Sequence, residues 1–460
     1  MNKEVKKYDV IVIGGGAAGL EAAFTISNAR KKVCLIEVSK LGGECPNWAC
    51  IPSKAMAKCA RSYYFAKHKM NNFGVYTESV TFNYKKIMSH KSAVVEAIAG
   101  TNRMEKLLST ARVDVVKGRA QFVDDKTVAV GKKLFSAGKI VIATGTESFI
   151  PPITGLQKAG YLTFRDAVTK TSAPKSITIV GGGPVACEFA SFYAMLGIKV
   201  TMIEIAKGIL QFEDSEISAL AANDLKELGV DIFLNTKVLS VQKRGHKKIV
   251  TFQEGKKNRK NVSVEEILIA VGKRANTAEL NIEKAGVKLD KRGFVAVNEK
   301  LQTSKKHIFA VGDITGAMQL TGVAHYHGAL ASQNILAKSA QLMKKFDLSI
   351  VPSVVFLKQE VAAVGIDSET AKKNKIKFDI HKFPIGYLGR AVTDGERSGL
   401  LKIITEKKTG RLLGGHMIGA RAGEVIHEIA LGIKLNAKLS DLTEMVYAFP
   451  TYSEAISALE

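Results

Sequence analysis

Residues 8–19 read YDVIVIGGGAAG. The apolar, β-branched run at 8–13 stops on a glycine cluster, and LEAAFTISNARKK at 20–32 follows with helical character. VCLIEV at 33–38 is a second buried strand. Strand, glycine turn, helix and strand in that order make the supersecondary unit that holds dinucleotides. Gly14, Gly16 and Gly19 stand at the fingerprint spacing. The first glycine permits a tight turn, the second lets a pyrophosphate approach the backbone, and the third lets helix and strand pack closely. The helix start then offers unpaired N–H groups and a positive dipole end to the phosphates. Glu37 ends the second strand, 18 residues past Gly19, where a carboxylate can accept ribose hydroxyls.

The same order recurs at 177–204, as ITIV, GGGPVACEFASFYAMLGIK and VTMIE. Gly181 and Gly183 open this second turn, and Ala186 takes the third position, where alanine is tolerated. Glu204 ends the strand. A carboxylate there favours a ribose with free hydroxyls and repels a 2′-phosphate, so NADH is expected over NADPH, with nearby Lys207 weakening the distinction. Two such units imply two nucleotides or one very large one; a flavin and a nicotinamide fit.

The remaining chain fits around these units. Its 460 residues allow two to four domains. We expect boundaries at 1–150, 151–272, 273–345 and 346–460. PPITG at 151–155 reads as a linker. A helical stretch is expected over 53–110, strands over 113–135 and at KIVIATG (139–145), and a strand at HIFAVGDIT (307–315) followed by a helix at 328–340. GLLKIIT (399–405) and LLGGHMIG (412–419) suggest an antiparallel sheet, with helices at 422–435 and 439–446. The predicted fold is α/β: two Rossmann-like dinucleotide-binding domains plus a C-terminal α+β dimerisation domain.

No run of about 20 apolar residues occurs, so no membrane span is expected. The N-terminus reads as a first strand and not as a signal peptide. Five cysteines make no secreted disulfide framework, and a reducing cytoplasm fits. The formal charge is +24, from 67 Lys and Arg against 43 Asp and Glu. Nucleic acid or an anionic membrane surface could answer such a charge. The basic residues are dispersed, however, with only short clusters such as KKNRK at 256–260, and a solvated lysine-rich surface is the simpler expectation.

Two of the cysteines lie in GGECPNWACIPSK, residues 42–54. A closed zinc site needs two more ligands than Cys45 and Cys50 supply, and no Cys or His pair stands nearby, so no metal site is expected. A structural clip does not suit a reducing compartment. Residues five apart in regular helix have Cα atoms about 8–9 Å apart, whereas a disulfide wants less than about 7 Å. If these two bond, the segment is irregular, with helix developing toward Lys54; Pro46 suits a helix start. A strained bond at a helix start is easier to reduce, and the helix end lowers a thiol's pKa.

GGGAAG, GGECPNWACIPSK, ATG (143–145), GGGPVACE, AVGKRANT (270–277), AVGD (310–313) and FPTYSE (449–454) occur in order. With them the chain resembles the class I FAD-dependent pyridine nucleotide–disulfide oxidoreductases, which include dihydrolipoamide dehydrogenase, glutathione reductase and mercuric reductase. The resemblance spans nearly the whole chain. It implies a homodimer and a redox-active Cys45–Cys50 disulfide, with Cys50 against the flavin and Cys45 meeting the substrate. It implies that Lys54 pairs with Glu188 near the flavin's reactive nitrogen, and that Glu454 belongs to the catalytic set. By the same resemblance, FAD is held by Gly14, Gly16, Gly19, Glu37, Gly43, Lys54, Gly118, Thr144, Gly145, Asp313 and Ala324, with Asp313 on the ribityl chain. The nicotinamide cofactor is held by Gly181, Gly183, Glu188, Glu204, Val238 and Gly272.

The sequence also departs from that family. Trp48 and Ala49 replace the commoner Val-Gly, and Trp48 is placed either to shape access to Cys45 or to pack under the flavin. The family's disulfide-reducing members carry His-Pro-Thr-x-Ser-Glu near the C-terminus, and here Phe449 stands in the histidine's place. A phenyl group cannot shuttle a proton, a step worth a factor of about 10²–10⁴. Mercuric reductases also lack that histidine, but their C-terminal cysteine pair and a metal-capturing Cys-x-x-Cys domain are not seen here. Tyr447, Tyr452, His325 and His327 are candidate substitutes, the histidines being expected to be local packing or surface residues. The expectation is an NAD(P)H oxidoreductase passing electrons through FAD and the cysteine pair to an unidentified acceptor: a metal ion, a quinone or an unusual disulfide. Dihydrolipoamide dehydrogenase is the alternative that Phe449 disfavours. A non-catalytic nucleic-acid or surface-binding protein rests on charge alone.

Overall fold

The computed structural model describes residues 4–255 and 258–459. They divide into two compact units. The first comprises residues up to 52 with 89–149 and 273–348. The second comprises 53–88, 150–272 and 349 onward. Of the KKNRK cluster, residues 256 and 257 lie outside the described residues.

The first unit is organised by the strand Val5–Ile13, flanked in parallel by Val33–Glu37 and Lys133–Ile142. Val113–Lys117 extends the sheet beyond Val33–Glu37, and Ile308–Ala310 pairs in parallel with Lys133–Ile142. Ala120–Phe122 and Thr127–Val130 complete seven strands as an antiparallel edge. Residues 10–13 are buried on both faces, which explains why this strand reads as a continuous apolar run. Ile11 and Ile13 point into one core with Ile36, Ile140 and Ile308. Val10 and Val12 point into the opposite core with Ile26, Leu35 and Phe309. Truncating any one of these aliphatic side chains costs about 2–5 kcal/mol.

The second unit repeats the design with Asp231–Phe233, Lys199–Ile203, Ser176–Val180 and Glu266–Ile269 in a parallel sheet, in that spatial order. An antiparallel sheet of Thr236–Arg244, Lys247–Glu254 and Asn258–Val264 shares its core through Val241, Val250 and Phe252. From 353 onward five antiparallel strands carry the helix Ala422–Lys434, which buries Val425, Ile426 and Ile429. Within this sheet Lys402 is only 4% exposed, and its ammonium is held by both oxygens of buried Asp214 at 2.9 and 2.8 Å.

Three local expectations need correcting. The stretch 53–110 is not one helical run: Cys50–His68, Tyr84–Ala99 and Thr101–Thr110 are separate helices. The segment holding the two cysteines is helical in two pieces, Glu44–Trp48 and Cys50–His68, broken at Ala49 (φ −120°, ψ −94°). The helix therefore begins at Cys50 itself, and Pro46 sits inside the preceding short turn. The helix placed at 328–340 is Thr321–Leu336, so both histidines of GVAHYHG lie within it.

Candidate active site

The first glycine turn is built to receive a phosphate-bearing ligand. Gly14 has φ +107°, and a Cβ there would overlap the carbonyl of Ala143. A Cβ on Gly19 would overlap the carbonyl of Gly14, and one on Gly43 would stand 2.6 Å from the Cα of Gly16. Gly16 caps the helix Ala17–Asn28 with no side chain over its first N–H groups. The Glu37 carboxylate is fixed by two backbone donors, Gly15 N at 2.6 Å and Ser39 N at 2.6 Å. Each oxygen keeps lone pairs for further donors such as ribose hydroxyls. Beside it lies a cavity of about 450 Å³ lined by Glu37, Ser39, Lys40, Thr101, Arg112 and Lys117. The Gly118 amide bonds the carbonyl of Glu37 at 2.9 Å. Thr144 and Gly145 are clamped by Asn276, whose side chain donates to Thr144 O at 2.9 Å and whose backbone amide donates to Gly145 O at 3.1 Å. These features fit the adenosine and pyrophosphate part of FAD.

The second turn reproduces the first atom for atom at its tightest point. Gly181 has φ +121°, and a Cβ there would overlap the carbonyl of Ala270. Gly183 caps the helix Pro184–Met195. Glu204 is buried, accepts Ala206 N at 2.8 Å and lies against Gly182. Lys207 is exposed. Val238 is buried in the neighbouring strand, and Gly272 (φ +130°) follows Glu266–Ile269.

Each unit carries its own constellation of side chains. In the first, Cys45 and Cys50 are half-buried. Cys50 Sγ lies 3.3 Å from Thr321 Oγ1 at the start of Thr321–Leu336. Asn47 ties the short turn down by donating to Leu41 O at 3.0 Å and Gly43 O at 2.9 Å. Trp48 is half-buried and carries Lys40 Nζ 5.8 Å from its ring centroid. Lys273 meets Glu44 at 3.0 Å and Asp313 at 3.6 Å. Burial works against the Lys273 ammonium, yet Glu44 and Asp313 hold it above its ordinary value. Burial pushes the Asp313 carboxyl up, with Lys273 pulling the other way. Asp313 also accepts Thr146 Oγ1 at 3.3 Å, and Ala324 packs near Gly312.

In the second unit Lys54 and Glu188 form an ion pair through both carboxylate oxygens at 2.8 Å. Phe356 N adds a 3.1 Å bond to Glu188, and Lys54 Nζ lies 4.6 Å from the centre of the Phe356 ring. Phe189 and Phe192 complete this crevice. Glu454 accepts the Thr451 amide at 2.7 Å and so closes the C-terminal turn. Phe449, in the same turn, is 80% exposed.

The candidate proton donors occupy different settings. Burial pushes the Tyr447 phenol up to about 12, with Glu428 adding to it. Burial and Asp394 push the Tyr452 phenol up as well, and its hydroxyl donates to Asp394 at 3.2 Å. His325 is partly exposed and lies 3.3 Å from Glu21. His327 is fully buried, with Nδ1 accepting the Gly312 amide at 3.3 Å, and burial depresses it to about 4. A histidine ordinarily titrating near 6.5 but near 4 in the fold contributes stability that is complete above 6.5 and is lost as pH falls toward 4. The full loss is about 3 kcal/mol. Thermal melts from pH 7 to 4 should therefore show a steeper fall for the parent than for His327→Gln; parallel curves would show that His327 does not titrate in this window.

Glu44, Lys273, Asn276, Thr321 and Phe356 escaped the sequence reading. Lys273 and Asn276 lie inside the AVGKRANT motif, so a signal existed, but nothing in the sequence pairs Thr321 with Cys50. Among the described residues no three His, Cys, Asp or Glu side chains group as metal ligands, and no helix is long and apolar enough to cross a membrane.

Residues 8–328 match the family described as pyridine nucleotide-disulphide oxidoreductase, and residues 351–459 match its dimerisation domain. The chain belongs to this family. It is an FAD-dependent pyridine nucleotide–disulfide oxidoreductase with a dimerisation domain, which sets aside the non-catalytic reading. It is 32% identical to a dihydrolipoyl dehydrogenase of Bacillus subtilis, over 98% of this chain and 96% of the relative. It is 31% identical to a mercuric reductase of Lysinibacillus sphaericus, over 98% and 81% respectively. The copper(II) complex of the HOCl-induced flavoprotein disulfide reductase RclA from Escherichia coli superposes with a TM-score of 0.88 at 28% identity, covering 99% of both chains.

Proposed function

We propose that the protein is a homodimeric NAD(P)H-dependent reductase whose Cys45–Cys50 pair passes electrons to an acceptor that needs no proton from the site, a thiophilic metal ion being the class favoured. The observation that carries this is Phe449, an exposed phenyl ring where disulfide-reducing members hold a proton shuttle. Reducing a disulfide substrate releases two thiolates that must each gain a proton, and a phenyl group gives none. Reducing a metal ion takes electrons from the two sulfurs as they join in a disulfide, and asks no proton of the protein. The mercuric reductase relative and the copper(II) complex of RclA support a metal acceptor by analogy. FAD supplies the two-electron carrier between nicotinamide and thiols.

The chain's own residues take the remaining roles. Gly14, Gly16, Gly19, Glu37, Gly43, Gly118, Thr144, Gly145, Asp313 and Ala324 hold FAD in domain parts 1–150 and 273–345. Gly181, Gly183, Glu204, Val238 and Gly272 hold the nicotinamide cofactor in 151–272, and 346–460 forms the dimer. Glu204 favours NADH, because its buried carboxylate disfavours a 2′-phosphate. Lys54 contributes positive charge fixed by Glu188, and Glu454 shapes the C-terminal turn.

One experiment tests the proposal. The flavin-loaded protein is mixed anaerobically with NADH or NADPH and then offered copper(II), mercury(II), a quinone or oxidised lipoamide. NADH should reduce faster than NADPH, and the metal ions should reoxidise the protein while lipoamide does so slowly. Lipoamide turnover as fast as metal reduction would overturn the reading.

A further inference from the structure

We propose that Thr321 is a positioning residue for Cys50: its hydroxyl holds the sulfur in place and donates a hydrogen bond to it when it is a thiolate. The proposal rests on the reading that Cys50 works as a thiolate in this enzyme. Thr321 Oγ1 and Cys50 Sγ are 3.3 Å apart, within bonding reach for sulfur. Between a thiol and a hydroxyl either group can donate. Once the sulfur has lost its proton only the hydroxyl has a hydrogen to give, so the contact becomes a charge-assisted bond.

The surrounding charges act beside the hydroxyl and do not replace it. In the first unit the ionic groups of the cluster are Lys273, on Lys273–Ala275, with Glu44 and Asp313. One ammonium faces two carboxylates, and burial weakens the charge of one of them, Asp313. Lys273 is shared between these carboxylates and the Cys50 sulfur, whose charge also helps to hold the ammonium up, so the Thr321 hydroxyl acts beside it. On the helix of Cys50, the next charged group is Lys54, and Glu188 takes it up through both oxygens. Thr321 is the first residue of the 16-residue helix Thr321–Leu336, and Leu320 at its cap places no side chain over the first amides. The positive end of that helix adds to the hydroxyl's effect. The two cysteines and Thr321 are 271 residues apart at their closest, so only the fold creates the contact.

The test uses the flavin-loaded dimer in a Cys45→Ser background, which leaves Cys50 as the remaining member of the pair. Two pH profiles are recorded. One is the long-wavelength charge-transfer absorbance, and the other is the rate of Cys50 alkylation by iodoacetamide, assigned by peptide mass. Thr321→Val should move both midpoints up by about one pH unit, the size expected for losing one hydrogen bond to a charged group. Thr321→Ser, which keeps the hydroxyl, should stay with the parent. If Val matches the parent, or if Ser shifts as far as Val, the proposal is wrong. Should Thr321→Val fail to retain flavin, Thr321→Ala replaces it with the same two outcomes. A parent with no long-wavelength band but a Thr321-dependent alkylation midpoint would sink the flavin-side reading of Cys50 while sparing Thr321.

Discussion

Cys50→Ser is expected to lower NAD(P)H-driven acceptor reduction at least about a thousandfold while leaving the yellow flavoprotein folded. Serine is close to cysteine in size, and the half-buried position makes the exchange mild for packing. Its hydroxyl neither ionises near neutral pH nor joins Cys45 in a disulfide, so no two-electron store remains outside the flavin. The long-wavelength band on NADH reduction should vanish in this variant. Cys45→Ser should also lose acceptor reduction but show the band before any NADH is added, because its Cys50 is already a thiol beside the oxidised flavin. Stopped-flow absorbance with copper(II) as acceptor separates the cases. If Cys50→Ser still reduces the acceptor at the parent rate, electrons leave the flavin directly, and the acceptor is closer to a quinone than to a metal held by sulfur.

How much of this was readable beforehand depends on range along the chain. The two nucleotide units were legible because their chemistry is local: Gly14 to Glu37 and Gly181 to Glu204 each span one turn, helix and strand. The same glycines then make the close approaches that exclude a Cβ. The family motifs reached further, since each is short and their order is fixed. Local reading failed where partners are distant. Thr321 lies outside the helix expected at 328–340, and only the fold sets it against Cys50. Nothing within GLLKIIT signals a partner for Lys402, yet it is buried because Asp214, 188 residues away, is there to neutralise it. The segment at Ala49 was mistaken in detail for another reason. Its break comes from one residue's φ and ψ, and alanine carries no turn signature of the kind glycine or proline does.

Phe449→His should create disulfide reductase activity where little exists, raising oxidised lipoamide turnover by up to about 10²–10⁴. Within one chain Phe449 is 80% exposed, so an imidazole displaces little of that chain's own packing, and the stability of the folded chain should move by no more than about 0.5 kcal/mol. The new group also finds much of its support in place. Glu454 remains four residues from Pro450, held by the Thr451 amide through Oε2 at 2.7 Å, which leaves its other oxygen able to orient a ring nitrogen. The gain should appear in kcat rather than in KM, because the histidine supplies protons to leaving thiolates and not binding surface. It should also bring a new pH limb near 6.5, the ordinary range of histidine, whereas metal-ion reduction should keep the parent's rate and profile. Rates for lipoamide and copper(II), measured side by side from pH 5.5 to 8.5, decide among the explanations. A copper(II) rate that falls with the substitution would mean that the phenyl ring helps bind the acceptor. A lipoamide rate that does not rise would mean that protons already reach the sulfurs by another route, and the absent histidine would no longer argue for a metal.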